Sequence, residues 1–263
     1  MLEQVEGNMA KHDLSFDPPL MNAAGSLGFS PDRYSPIDWS KLGAFITNPI
    51  SLTPRTPAHG KRFVAYPGGF LLHTGYPNPG FSRVLRHYAE QWSRSSIPVI
   101  VHLLGQNAET LEEMARRLEN VEGVRGVEVG VSSEASVETV VALTRAASGE
   151  LPVIMRLPME RASEVAPAAI QAGAMAISLA PPRGTVPVSD DEIVHGRLFG
   201  PAILPLAIRT VSVLVQLGIP TLGAGGIYTQ KHIKAMLSVG AMAVQLDSWL
   251  WREAGNKISL IRS

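Results

Sequence analysis

The segment Gly223-Ala224-Gly225-Gly226-Ile227 has the residue types that most directly imply chemistry. Glycines let backbone N–H groups come close to an anion, and a helix opening at Thr229 would add unpaired N–H groups at its N-terminus. The competing reading is geometric: many strand-to-helix turns use glycine for their backbone angles alone. Other chemistries are excluded or weakly supported. Cysteine is absent, which removes disulfides, thiolate metal sites and thiol nucleophiles. No His/Asp/Glu cluster has metal-ligand spacing, so no metal is expected. His73 and His102 stand alone, and His102 reads first as a hydrogen-bonded core histidine.

The elements that must position this turn alternate regularly from about residue 97 onward. Val99-Ile100-Val101-His102-Leu103 reads as a strand, and Asn107 to Asn120 as a helix with Leu111, Met114, Ala115 and Leu118 at helical spacing. Strands follow at Gly126 to Val131, Val153 to Leu157, Ala174 to Leu179, Pro220 to Leu222 and Ala243 to Leu246. Helices are expected at Val137 to Ala147, Ser163 to Ala172, Ile203 to Leu217 and Thr229 to Val239, with a Pro/Gly-containing loop from Ala180 to Gly200. Strands apolar on both faces, alternating with helices, mean a parallel α/β architecture. At 263 residues the length suits one closed (β/α)8 TIM barrel, a single domain over 1–263. The first hundred residues are rich in Pro and Gly and show little helical periodicity. Leu20 to Ala24 and Ala44 to Asn48 read as the first two strands, and Ser51 to Gly80 as an extended excursion at one end of the barrel.

In such barrels a phosphate site is frequently built from the loops after strands seven and eight. The second loop here would be Asp247-Ser248. The Ser248 hydroxyl adds a donor, but Asp247 opposes an anion. At about 4 Å from a phosphate charge it would cost on the order of 4 kcal/mol at an effective dielectric near 20. That exceeds the roughly 0.3–1 kcal/mol that a helix terminus contributes. The site therefore requires Asp247 to turn away or be neutralised, and Lys231 and Lys234 are the nearest cations in sequence.

Charge and composition set further bounds. Lys+Arg and Asp+Glu are both 23, which gives no electrostatic reason to expect nucleic acid or an anionic membrane. Met1 to Lys11 lacks the apolar run of a signal peptide, and no stretch of 18 apolar residues occurs. A cytoplasmic location with a small-molecule partner, and a homo-oligomer, are the expectations.

Several segments, in order, resemble the dihydroorotate dehydrogenase family. Pro19-Leu20-Met21-Asn22-Ala23-Ala24-Gly25 is similar to its first strand, and Gly43-Ala44-Phe45-Ile46-Thr47 to its second. Gly75-Tyr76-Pro77-Asn78-Pro79-Gly80 resembles its Gly-x-x-Asn-x-Gly substrate loop. Gly126 to Ser133 resembles the fourth strand leading into the catalytic loop. Gly225-Gly226-Ile227, Gly240-Ala241 and Val244-Gln245 resemble the phosphate-binding end.

The resemblance implies FMN as cofactor and oxidation of dihydroorotate, or of a related small ring compound, by hydride transfer to the flavin. It implies cofactor contacts from Ala23, Ala24, Gly25, Asn48, Arg156, Gly200, Gly225, Gly226, Asp247 and Ser248, and substrate binding by Asn78. Ser133 falls where membrane-associated members place a catalytic Ser base. Capping of the following helix by Ser132 or Ser133 is the competing role, and for Asn78 it is bonding to its own loop. The chain departs from the family at Asn48 and Arg156, where lysines are usual, and at Gly130 and Ala180, where asparagines are usual. It also departs at Glu134-Ala135, in place of Pro-Asn, and at Asp247-Ser248, in place of Gly-Thr. Two alternatives therefore stand beside the oxidoreductase: a barrel that binds FMN without this activity, and a scaffold without catalysis.

Overall fold

The computed structural model describes residues 14–32, 35, 37–189 and 192–253. The segment Met1 to Lys11, read above for a signal peptide, lies outside them. The chain begins with two short strands, β1 (Leu20–Asn22) and β2 (Phe45–Ile46), and a hairpin, β3 (Phe63–Tyr66) and β4 (Gly69–Leu72). Helix α1 (Phe81–Ser93) leads into β5 (Val99–Leu104), α2 (Ala108–Leu118), β6 (Val124–Gly130), α3 (Val137–Ala147), β7 (Val153–Pro158), α4 (Ala162–Gln171) and β8 (Ala176–Ala180). A second hairpin follows, β9 (Arg183–Pro187) and β10 (Ile193–Phe199). The chain then continues through α5 (Leu204–Gln216), β11 (Thr221–Ala224), α6 (Gln230–Ser238), β12 (Ala243–Leu246) and α7 (Ser248–Glu253).

Eight parallel strands run in the order β1-β12-β11-β8-β7-β6-β5-β2, each paired with its neighbour. The seam between β1 and β2 carries a parallel bridge, Met21 to Ala44. There the Asn22 amide stands in for a ladder: it donates to the Ile46 carbonyl at 2.6 Å and accepts from the Ile46 N–H at 2.9 Å. The sheet thus closes into the expected (β/α)8 barrel.

The interior divides by height. At the N-terminal end of the strands Met21, Ile46, Ile100, Ile154, Leu222 and Ala243 pack as an apolar plug, with Leu14 and Phe16 beneath. A larger apolar layer joins the outer faces of the strands to the helices. Buried polar side chains gather at the other end, where the strands finish.

Two regions differ from the sequence expectation. The first hundred residues do contain a long helix, α1. Its buried Phe81, Val84 and Trp92, with Leu85 and Tyr88 packed alongside, lie on one face, while Arg83, Arg86 and Glu90 occupy the intervening positions. The stretches read as an excursion and a loop are hairpins, which pair into an antiparallel sheet ordered β3-β4-β10-β9. Val64, Leu71 and Val194 form its small core. This second sheet sits at the mouth of the barrel.

Candidate functional site

Five barrel strands converge on one carboxylate. Glu128 on β6 is fully buried. Its Oε1 receives His102 Nδ1 of β5 at 2.7 Å and Arg156 Nη1 of β7 at 3.4 Å. Its Oε2 receives Ser178 Oγ of β8 and Gln245 Nε2 of β12, each at 2.7 Å. Burial works to raise the Glu128 carboxyl, but Arg156 and His102 outweigh it and hold the group at about 2. Glu128 is therefore an anion at neutral pH. Burial, together with Arg156 and Arg197, lowers His102 against the pull of Glu128, so the ring is neutral there. With Nδ1–H given to Glu128, Nε2 is left as a lone-pair acceptor. That nitrogen lies 2.6 Å from where a Cβ at Gly130 would stand. His102 thus fills the space of any side chain at position 130, which is why glycine is found there.

Above this floor lies a cleft with two lobes, of about 350 Å³ and about 480 Å³. Both lobes are lined by Ala24, Arg55, Tyr76, Arg156, Arg183 and Arg197. The smaller lobe adds Gly25, Asn48 and Asp247; the larger adds His102, Gly130 and Ser133. Together they are large enough for a drug-sized ligand. The roof comes from the second sheet: Arg183 opens β9, Arg197 lies on β10, and Tyr76 follows β4.

The residues named from sequence divide into three groups. Ala24, Gly25, Asn48, Arg156 and Asp247 meet in the smaller lobe. Ala23 is buried beneath them, its N–H bonded to the Leu246 carbonyl at 2.6 Å. Ser133 lines the larger lobe. It does not cap α3: that role belongs to Ser136, whose Oγ accepts from the Thr139 N–H at 3.2 Å. The capping alternative for Ser132 and Ser133 is thereby corrected.

Asn78, Gly200 and Ser248 lie outside the cleft's lining. Asn78 Oδ1 accepts from the Gly80 N–H at 3.0 Å, and Nδ2 donates to Ser51 Oγ and the Tyr76 carbonyl, each at 3.0 Å. Its amide therefore organises the loop that carries Tyr76. Gly200 packs on the β3–β4 turn, where a Cβ would stand 2.5 Å from the Gly68 carbonyl oxygen.

The glycine turn mixes both readings made of it. Gly226 has φ +72°, and a Cβ there would stand 2.3 Å from the Leu204 nitrogen, so helix packing already demands glycine. Yet the N–H groups of Gly225 and Gly226 reach no carbonyl among the described residues, and neither glycine lines either lobe of the cleft. Ser248 is committed elsewhere: its N–H and hydroxyl donate to Asp247 Oδ1, and its oxygen also meets the Tyr228 hydroxyl. Burial pushes the Asp247 carboxyl up, opposed by the two Ser248 donors and by Arg156. The cation facing it is Arg156. Lys231 and Lys234 are exposed on α6, which corrects their suggested role.

The sequence reading missed Glu128, Arg55, Arg183, Arg197 and Tyr76, and left His102 in the core. The alternation of Arg183 and Thr185 with Gly184, Val186 and Val188 is the sequence pattern of the strand that sets Arg183 opposite Arg197.

A family model described as dihydroorotate dehydrogenase matches residues 8–144. Two Geotalea proteins named dihydroorotate dehydrogenase B (NAD(+)), catalytic subunit, are similar to this chain. The one from Geotalea uraniireducens is 31% identical, with 91% of this chain and 88% of the relative covered. The one from Geotalea daltonii is 30% identical, with the same coverage. A protein of the same name from Desulforudis audaxviator is 29% identical over 93% of this chain and 87% of its own length.

Proposed function

The chain belongs to the dihydroorotate dehydrogenase family, and on that premise we propose that it is an FMN-dependent oxidoreductase acting on dihydroorotate or a related small ring compound. The family is FMN-dependent. The observation that carries the reading is the cleft itself. It joins the backbone after β1, the cationic Arg156 and the Ser133 loop above a buried polar floor centred on Glu128.

The residues present fit the cofactor. Ala24 and Gly25 offer backbone with little side chain to a flat ring, and Asn48 offers an amide. Arg156 offers positive charge, with five donors in a planar fork where the family's lysine has three on a point charge. The unbonded N–H groups of Gly225 and Gly226 suit the phosphate, while Asp247 is the group that opposes it. When bound, the flavin supplies a hydride acceptor.

The chain's own residues have the remaining tasks. Ser133 is the candidate to take the proton from the substrate carbon. His102 Nε2 lies in the same lobe and is a second acceptor, held in one tautomer by Glu128. Because His102 occupies the space beside Gly130, the floor beneath the substrate differs from that of relatives with Asn there. A related ring compound is therefore favoured over dihydroorotate itself.

Among the described residues no helix is long and apolar enough to cross a membrane. A cytoplasmic setting and self-association are part of the proposal. Exposed Phe63 and Ile193 on the second sheet are the apolar surface that self-association would cover.

The test is a flavin titration of the full chain and of Asp247→Asn. FMN uptake, tighter in the variant, is expected. Absence of flavin uptake by both proteins would overturn the oxidoreductase reading.

A further inference from the structure

Arginine is concentrated over the cleft beyond what the floor uses. Arg156 is committed to Glu128. Arg55, Arg183 and Arg197 line both lobes as well, and among the described residues none of the three pairs with a carboxylate. Their anchors are neutral. Arg55 Nε donates to the Gly75 carbonyl at 3.1 Å, and Arg197 Nη1 to the Pro181 carbonyl at 3.0 Å. The Arg197 guanidinium also lies 5.7 Å from the centre of the Tyr76 ring.

Two features work against local stability. Arg183 and Arg197 are direct cross-strand partners in the β9–β10 ladder, a placement that destabilises a sheet when the charges are alike. Tyr76, which faces Arg197, holds φ at 54°, a region that bulky side chains avoid. Both sit at the rim of the same cleft, where such strain is commonly tied to function. At Arg55 and Arg197 the carbonyl anchors, with the Tyr76 ring beside Arg197, orient the guanidinium and leave donors for a ligand.

We propose that the partly reduced ring substrate of this enzyme carries two anionic groups, so that its oxidised product is an aromatic dicarboxylate, and that Arg55, Arg183 and Arg197 grip the second of them at the rim. The inference rests on the oxidoreductase reading for the identity of the ligand as substrate. A single carboxylate held over Arg156, whose charge Glu128 already offsets, would leave the rim cations unmatched. A second anion offsets them, and the like-charge pair across β9 and β10 becomes a two-pronged clamp.

The probes are benzene-1,3-dicarboxylate and benzoate, which differ by one carboxylate, titrated calorimetrically into the full chain with and without FMN. The dicarboxylate is expected to bind tighter by about tenfold or more, with an advantage that shrinks at high salt. Arg183→Ala and Arg197→Ala should each erase most of that advantage, and Arg197→Lys only part of it, while thermal melts stay near wild type. Equal affinity for the two probes would overturn the proposal. So would arginine variants that lose FMN yet keep riboflavin, since the cluster would then hold the cofactor's own phosphate. A chain that takes up no flavin but still prefers the dicarboxylate would fail the oxidoreductase reading and leave the rim site standing.

Discussion

The floor and the rim of the cleft use the same side chain, arginine, in opposite ways. On the floor Arg156 is buried beside a fully buried carboxylate that accepts from four side chains. At the rim Arg55, Arg183 and Arg197 are more exposed, and Arg55 and Arg197 are tied to carbonyls and a ring. A buried charge without its partner is strongly destabilising, so the floor must match its charges within the protein, and Arg156 can face a ligand only while it keeps Glu128. Water screens the rim charges, so they can stay unpaired at little cost until an anion arrives. Stability belongs to the first region and recognition to the second.

Removing one partner from each region gives the largest contrast. Glu128→Ala would strand Arg156 and is expected to cost about 3–5 kcal/mol in denaturant unfolding. Arg197→Ala should stay within about 0.5 kcal/mol, as surface changes usually do. A similar loss for both variants would break the distinction between floor and rim.

Acid should separate the regions next. His102 is depressed from its ordinary 6.5, so its unfolded state takes up a proton first. The stability it contributes is present above pH 6.5 and is lost as pH falls below it. Glu128 is depressed from 4.5 to about 2, so its contribution is present above pH 4.5 and is lost as pH falls toward 2. Asp247 has the opposite sign, because its raised carboxyl favours the folded state on protonation. Melting temperature should therefore decline in two stages on acidification. Glu128→Gln should flatten the lower stage, and Arg183→Ala should leave both in place.

The loop between the regions separates stability from turnover. Ser136→Ala removes the α3 cap and should cost about 1 kcal/mol. Ser133→Ala should leave stability unchanged and lower turnover by about 10²–10⁴-fold if its hydroxyl takes the proton. Unchanged turnover would pass that task to His102, whose own variant, His102→Gln, would then carry the loss.

The barrel was legible because its rule is local. A buried parallel strand such as Val99–Leu104 is apolar at every position but His102, and a helix such as Ala108–Leu118 must repeat every three or four residues. Both patterns can be read along the chain. The glycine turn and the Asp247-Ser248 loop were legible for the same reason, since each lies at the end of one such unit. Helix α1 carries the same kind of stripe as α2, but it follows directly on the Pro- and Gly-rich excursion, which lowers helical periodicity across the first hundred residues.

The sequence by itself determined the parallel barrel, the family likeness and the positions of the loops that border the cleft. Tertiary structure alone decided which side chains meet. Glu128 draws partners from four other strands, up to 117 residues away, and His102 Nε2 fills the space that keeps position 130 glycine. Arg183 and Arg197 become a pair only because β9 and β10 fold back on one another. Periodicity is a property of neighbours along the chain, whereas charge pairing and steric exclusion depend on distances that exist only once the barrel has closed.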